Sequence, residues 1–322
     1  MKAAFVVHTG DICGRGGMVG HLMMMNHLTM DRPMHYCIGN HDLINGSCGE
    51  EVFEALFGPC WYSFEAGGLA DAPSKLCEAD IVYALSKPAE KGADFSWVKP
   101  GKVAWDWWNC FDNLGEAKGC TTAGYKRFID FAAKTGVEYV ILDEGWSEKL
   151  NIWKFHPNVD VPEIIRYGNE KGVGIILWLA WAQAYDCEAK VAEHFSKLGA
   201  KGFKVDFMDR ADARVAQFLE KFASECAKTK MLVDYHGVYR PTGLHRQYPN
   251  VINYEGVHGL EQTKWFKNGY DFMDNDIKVF FCRMTAGPMD YTPGAMDNYP
   301  IGKYKPTGVH PGVGYRYPAK LY

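Results

Sequence analysis

Between residues 103 and 281 the sequence alternates between two hydrophobic rhythms, and that alternation narrows the possible folds more than any other feature. Short β-branched and aromatic runs cover 103–107, 139–143, 173–181, 202–206, 231–235, 251–254 and 278–281. Between them, 121–135, 161–171, 188–198 and 211–228 repeat apolar residues at helical spacing; in the first of these, Phe128, Phe131 and Ala132 are expected on one face. Strand and helix in turn imply a parallel sheet with helices outside it. Seven strands predict an α/β protein built on an incomplete (β/α)8 TIM barrel over 103–298. A chain of 322 residues, 47% hydrophobic and 23% charged, has the length and the apolar content for such a core.

Barrels of this kind carry their chemistry at the C-terminal ends of the strands. Read in order, those ends present Asp106, Asp143 with Glu144, Trp181, Asp206, His236, Glu255 with Glu261, and Arg283. Asp206 closes a run otherwise suited to burial, "GFKVD", which marks it as a candidate reactive carboxylate; Asp209 is expected to cap the following helix. Lys204 shares the side-chain parity of Asp206 and is placed to keep it ionised. In "WDWW", one alternation of Trp105, Asp106, Trp107 and Trp108 faces the interior and the other packs on helices. Asp106, Trp107, Asp143, Trp146 and His236 are candidates for contacts with substrate, and Asp290 is expected to hold a turn.

A net charge of −4 argues against nucleic acid or an acidic membrane as partner, and no stretch is apolar enough to span a bilayer. Aromatic residues make up 14% of the chain, including ten Trp, which suits a rich core and a sugar-binding cleft equally. Ten cysteines without CxxC spacing are expected to be mostly buried thiols. The opening "MKAAFVVHTGD" reads as a strand rather than a signal peptide.

The first 68 residues follow a different plan. Strands at 4–7 and 34–38 end in Gly10-Asp11 and in Gly39-Asn40-His41-Asp42, clusters suited to a divalent metal pair. This segment resembles a fragment of the calcineurin-like metallophosphoesterases, which implies metal or phosphate roles for Asp11, Asn40 and His41. That family's Asp-x-His and Gly-His-x-His blocks are missing, so no working metal pair is expected. Residues 69–102 read as a linker with a residual strand at 80–85, and 299–322 as an irregular tail rich in Gly, Pro and Tyr.

The phrases "KPGKVAWDWWN", "YVILDEGW", "GFKVDFMDR", "NYEGVHGLE" and "CRMTAGPMDYTPGAM" occur in this order between about residues 78 and 298 and resemble glycoside hydrolase family 97. The resemblance implies an α-galactosidase or α-glucosidase acting on a glycoside or oligosaccharide, bacterial and periplasmic or secreted, with calcium in the site. An aspartate at the fourth strand end, with His236 where a glutamate base would otherwise stand, implies the retaining branch. Asp206 would then be the nucleophile, Glu261 the acid/base, and Glu255 and Glu261 calcium ligands. A further calcium-binding glutamate would come from an N-terminal sandwich of the family. Three other readings stay open: an inactive join of two gene fragments, a metal-dependent phosphoesterase, and a sugar-binding protein with a degenerate site. The sequence leaves galactoside against glucoside, linkage and oligomeric state undecided.

Overall fold

The computed structural model describes residues 6–8, 34–36, 80–107, 120–149, 151–264 and 272–292. The chain divides into two units, Met1–Gly68 and Leu69–Tyr322. In the first, β1 (Val6–His8) and β2 (Met34–Tyr36) form a short parallel pair, in line with the expected strands. Asp11, Asn40 and His41 lie outside the described residues.

The second unit contains the alternating region. After α1 (Ile81–Leu85) come β3 (Val103–Trp105), α2 (Thr122–Thr135) and β4 (Tyr139–Leu142). A hairpin, β5 (Ser147–Glu148) and β6 (Asn151–Phe155), precedes α3 (Val161–Lys171), β7 (Gly174–Ala180), α4 (Trp181–Ala184) and α5 (Glu188–Leu198). Then follow β8 (Gly202–Asp206), α6 (Ala213–Lys228), β9 (Leu232–Tyr235), α7 (Leu244–Gln247), β10 (Val251–Tyr254) and α8 (Phe272–Cys282). Strands β10-β9-β8-β7-β4-β3 form one sheet, every pair parallel. Six consecutive parallel strands with interposed helices fit an incomplete TIM-like barrel.

Two expected strands are helices. Of residues 80–85, Ile81–Leu85 form α1, and 278–281 lie inside α8. Both runs are short and apolar, and a run of that length carries no periodicity that separates strand from helix. In α2 the buried face is Tyr125, Ile129 and Ala132, whereas Phe131 is exposed, so the apolar stripe is rotated from the one expected. The boundaries of α3 and α5 agree with the sequence reading because their stop signals are local. In α3, Asp160 accepts a hydrogen bond from Glu163 N at the start, and Gly172 adopts φ 74 at the end.

Side-chain parity divides the sheet into two faces. On β8, Phe203 and Val205 join the helix-facing core with Phe195 and Phe222, while Lys204 and Asp206 project the other way. Each such Phe contributes roughly 1.5–3 kcal/mol by burial. That core lets the inner face carry buried charge. Among the described residues, Cys226 is buried, Cys282 is exposed and Cys120 and Cys187 lie between, all as free thiols, and no helix is long and apolar enough to cross a membrane.

Candidate active site

The inner face of β8 carries the most densely bonded charges. Lys204 and Asp206 are buried. Lys204 Nζ lies 2.9 Å from Asp143 Oδ2, 3.4 Å from Asp206 Oδ2 and 4.4 Å from the centre of the Trp105 ring. Burial opposes the lysine's charge, but Asp143 and Asp206 outweigh it and hold its pKa above the usual lysine range. Asp143 Oδ2 also accepts the Trp105 indole N–H at 2.6 Å. Strand register explains this meeting: Trp178 pairs with Lys204, and Lys204 with Asp234, so neighbouring strands deliver inward residues at one height.

Asp206 accepts the Phe207 N–H on Oδ1 at 2.7 Å and the Trp178 indole N–H on Oδ2 at 3.1 Å. Burial pushes its carboxyl up. The Lys204 and His236 charges and these two donors outweigh that and hold it below the usual carboxylate range. The turn beyond Asp206 is strained: Phe207 has φ 61 and Asp209 φ 47, left-handed conformations that cost a non-glycine residue on the order of 1–3 kcal/mol. Gly237 locks it, because a Cβ there would come within 2.7 Å of Phe207 N and 2.8 Å of Asp206 Oδ1, and Gly237 O accepts from Asp209 N. Asp209 does not cap the next helix. Asp212 does so, by accepting from Val215 N at 3.1 Å.

His236 is buried after β9. Its Nε2 lies 2.7 Å from Asp290 Oδ2 and 3.3 Å from Asp234 Oδ2, and its Nδ1 3.9 Å from Glu255 Oε2. Burial opposes its charge, but Asp234 and the bond to Asp290 outweigh it and hold its pKa well above the usual value. The ligand atoms of Asp234, His236 and Asp290 lie within 4.8 Å of one another. With one ring nitrogen facing two carboxylates, we read this trio as an ion-pair network. Asp290 also accepts from Thr292 N, so it holds the turn expected of it while reaching His236.

Glu255 follows β10. Its Oε2 accepts from Gly237 N at 2.8 Å. Burial, offset in part by His236 and reinforced by Glu261 and Asp206, pushes its carboxyl up to about 7. Arg283 clamps this strand end by donating to the carbonyls of Tyr254, Glu255 and Gly256; it does so from just past α8, not from a strand end. Glu261 lies in a 3₁₀ turn, Leu260–Lys264. Its Oε2 accepts the Trp107 indole N–H at 3.3 Å, and its backbone N–H donates to Thr292 Oγ1. Glu261 and Asp206 both stand within electrostatic reach of Lys204 and of Glu255.

The remaining candidates sit deeper. Asp106 is 1% exposed, and its Oδ1 accepts the backbone N–H groups of Trp107 and Asp143. Burial and the nearby Asp143 charge push the carboxyl up to about 7, outweighing the partial lowering by the Tyr125 hydroxyl that stands beside its side chain. Trp146 is also 1% exposed, packed on Phe155 and Phe195, with its indole N–H donated to the Trp178 carbonyl. Asp106 backs the Asp143 strand end, and Trp146 packs in the core. Trp108 lies outside the described residues. Sequence reasoning missed Trp178 and Asp234, although Asp234 shares inward parity with His236, which it did select.

Parallel strands with carboxylates gathered at their C-terminal ends are how barrel enzymes place their chemistry. Residues 105–257 match the family model Glycoside hydrolase 97. The chain is 44% identical over 240 residues to a retaining alpha-galactosidase of Bacteroides thetaiotaomicron, covering 73% of this chain and 36% of that protein. It is 29% identical over 242 residues to a probable retaining alpha-galactosidase of Streptomyces bingchenggensis, with the same coverage. The chain thus spans about a third of the length of these relatives. Among solved structures, a Glycoside Hydrolase Family 97 enzyme from Pseudoalteromonas sp. strain K8 in complex with acarbose superposes with TM-score 0.61 at 26% identity, over 70% of this chain and 39% of that one. A variant of it in complex with panose gives TM-score 0.62 at 25% identity, over 71% and 40%.

Proposed function

We propose that this chain cleaves terminal α-galactosides with retention of configuration, Asp206 acting as nucleophile and Glu261 as acid/base. The observation that carries this is the Lys204–Asp206 pair: a buried strand-end carboxylate held ionised and immobile by a cation 3.4 Å away and two N–H donors. Retaining glycosidases need such a carboxylate roughly 5–5.5 Å from a second carboxyl. An Asp206 oxygen attacks the anomeric carbon as the bond to the leaving oxygen breaks, and the Glu261 proton passes to that oxygen. Water then attacks the same carbon, gives its proton back to Glu261 and releases Asp206. The 44% likeness to a retaining alpha-galactosidase favours galactoside over glucoside.

Lys204, Asp143 and the Trp105 indole form a buried donor–acceptor set suited to sugar hydroxyls, with Trp107 and His236 beside it. A calcium ion would be held by Glu255 and Glu261. The raised Glu255 carboxyl marks a place short of positive charge, although two carboxylates supply only part of the roughly six to eight oxygens calcium takes. When bound, the ion would add positive charge near the sugar hydroxyls.

The test uses the full chain with 4-nitrophenyl α-galactoside. The wild type releases nitrophenolate and Asp206→Ala does not; added azide restores release and yields the β-galactosyl azide. Release from 4-nitrophenyl phosphate with none from the galactoside would sink the reading in favour of a phosphoesterase. Full activity of Asp206→Ala without azide would remove the covalent intermediate.

A further inference from the structure

Phe207 directly follows the proposed nucleophile and combines properties that seldom occur together. Its ring is 52% exposed, so it gains only part of the burial a Phe side chain offers. Its backbone stands at φ 61, where glycine would relieve strain, and Gly237 packs against its N–H closely enough to fix that geometry. Stability alone does not favour a half-exposed Phe at a left-handed position. The ring nevertheless has a defined place, with its centroid 5.4 Å from Trp178 in an edge-on contact at 77°. Trp178 in turn donates to Asp206 Oδ2.

Exposure rises along this set from inside to outside. Lys204 is 3% exposed, Trp178 6%, Asp206 9% and Phe207 52%. On this reading the leaving oxygen stands on the face of the anomeric carbon away from Asp206, and the group it carries extends from the buried set toward the exposed rim. We propose that Phe207 is a specificity-determining platform for the leaving group, a flat wall on which a pyranosyl or aromatic ring attached to the scissile oxygen stacks. A ring held by its own backbone and by Trp178 loses little conformational freedom on contact, which is what an aromatic anchor requires. This inference rests on the glycosidase reading above and adds the side of the substrate that the site selects.

The experiment compares two substrates on the full chain: α-galactosyl fluoride, whose leaving group has no ring, and a disaccharide with an α-galactosyl group on glucose. Wild type, F207A and F207W are assayed for kcat and KM. The expected result is that F207A lowers the disaccharide-to-fluoride ratio of kcat/KM about tenfold, mostly through KM, and that F207W restores it. A parallel loss on both substrates overturns the proposal, because the ring would then only support the Asp206 turn; an unchanged ratio overturns it as well. If the wild type turns over neither substrate, the glycosidase reading itself fails and takes this inference with it, a result distinct from the other two.

Discussion

Asp206, near the middle of the sheet, and the carboxyls that follow its two edge strands have opposite fates. Asp206, at the end of the interior strand β8, is held below the usual carboxylate range. Asp106 follows edge strand β3 and Glu255 follows edge strand β10, and both are pushed up to about 7. All three are buried, so desolvation does not distinguish them. What differs is cation contact: Lys204 and His236 lie on interior strand ends and face inward, and Lys204 sits 3.4 Å from Asp206. His236 reaches Glu255 only at 3.9 Å and already faces Asp234 and Asp290. Burial raises Asp234 as well, although it lies on interior strand β9, because it shares His236 with Asp290; an unshared cation contact therefore separates a carboxyl fit to attack from one fit to hold a proton, the separation that acid/base pairs need.

The comparison breaks most sharply at Asp206 itself. Asp206→Ala should lower kcat for 4-nitrophenyl α-galactoside on the order of 10⁴-fold, with the azide rescue described above. Lys204→Met comes next. Removing one partner of a buried ion pair costs about 3–5 kcal/mol, visible as a lower urea midpoint. The activity readout is more specific. Without Lys204 the Asp206 carboxyl loses its largest downward influence, so the acid limb of the pH–rate profile should move to higher pH. If that limb stays in place while activity falls, Lys204 acts on the sugar and not on the nucleophile, and the contrast between middle and edge loses its cause.

A smaller effect is expected at Gly237, which touches both sides of the comparison: it packs on Asp206 Oδ1 and donates its N–H to Glu255 Oε2. Gly237→Ala introduces a Cβ within 2.8 Å of Asp206 Oδ1, and its φ of 53 strains any L side chain. The expected outcome is a loss of kcat of about 10²-fold at little change in KM, the cost of a displaced reacting group. An unchanged kcat would show that the turn carries no positional information.

Much of this contrast could be read from the sequence, and the unread part has a physical reason. Strand-end position and period-2 parity identified Lys204 and Asp206 together, and the local stop signals gave α3 and α5 at their observed limits. Parity with His236 also points to Asp234, but only strand register reveals that it and Trp178 meet Lys204, and register is not local. Asp106 and Trp146 were selected as strand-end residues of the right chemical type. Their burial depends on which backbone N–H or carbonyl lies opposite, Asp143 N for one and Trp178 O for the other. The short runs at 80–85 and 278–281 were misassigned because four to six apolar residues fit either rhythm.

The smallest expected effect tests the edge side alone. Asp106 has a folded-state pKa of about 7, above the roughly 3.9 of an unfolded aspartate. A raised carboxyl contributes stability below its unfolded pKa and loses it as pH rises through the folded value. Wild-type stability from this group should therefore decline between about pH 4 and pH 7. Asp106→Asn keeps an oxygen to accept from Trp107 and Asp143 N–H and removes the charge. Its amide nitrogen takes the place of Oδ2 and can donate to the neighbouring Tyr125 hydroxyl oxygen. Relative to wild type, the variant should gain about 1–3 kcal/mol on going from pH 4.5 to pH 8, read from urea unfolding at the two pH values. A difference that stays constant with pH would mean that Asp106 is ionised in the folded chain at both values. Its burial would then be compensated as fully as that of Asp206, without a cation beside it among the described residues, and cation contact would no longer explain the contrast.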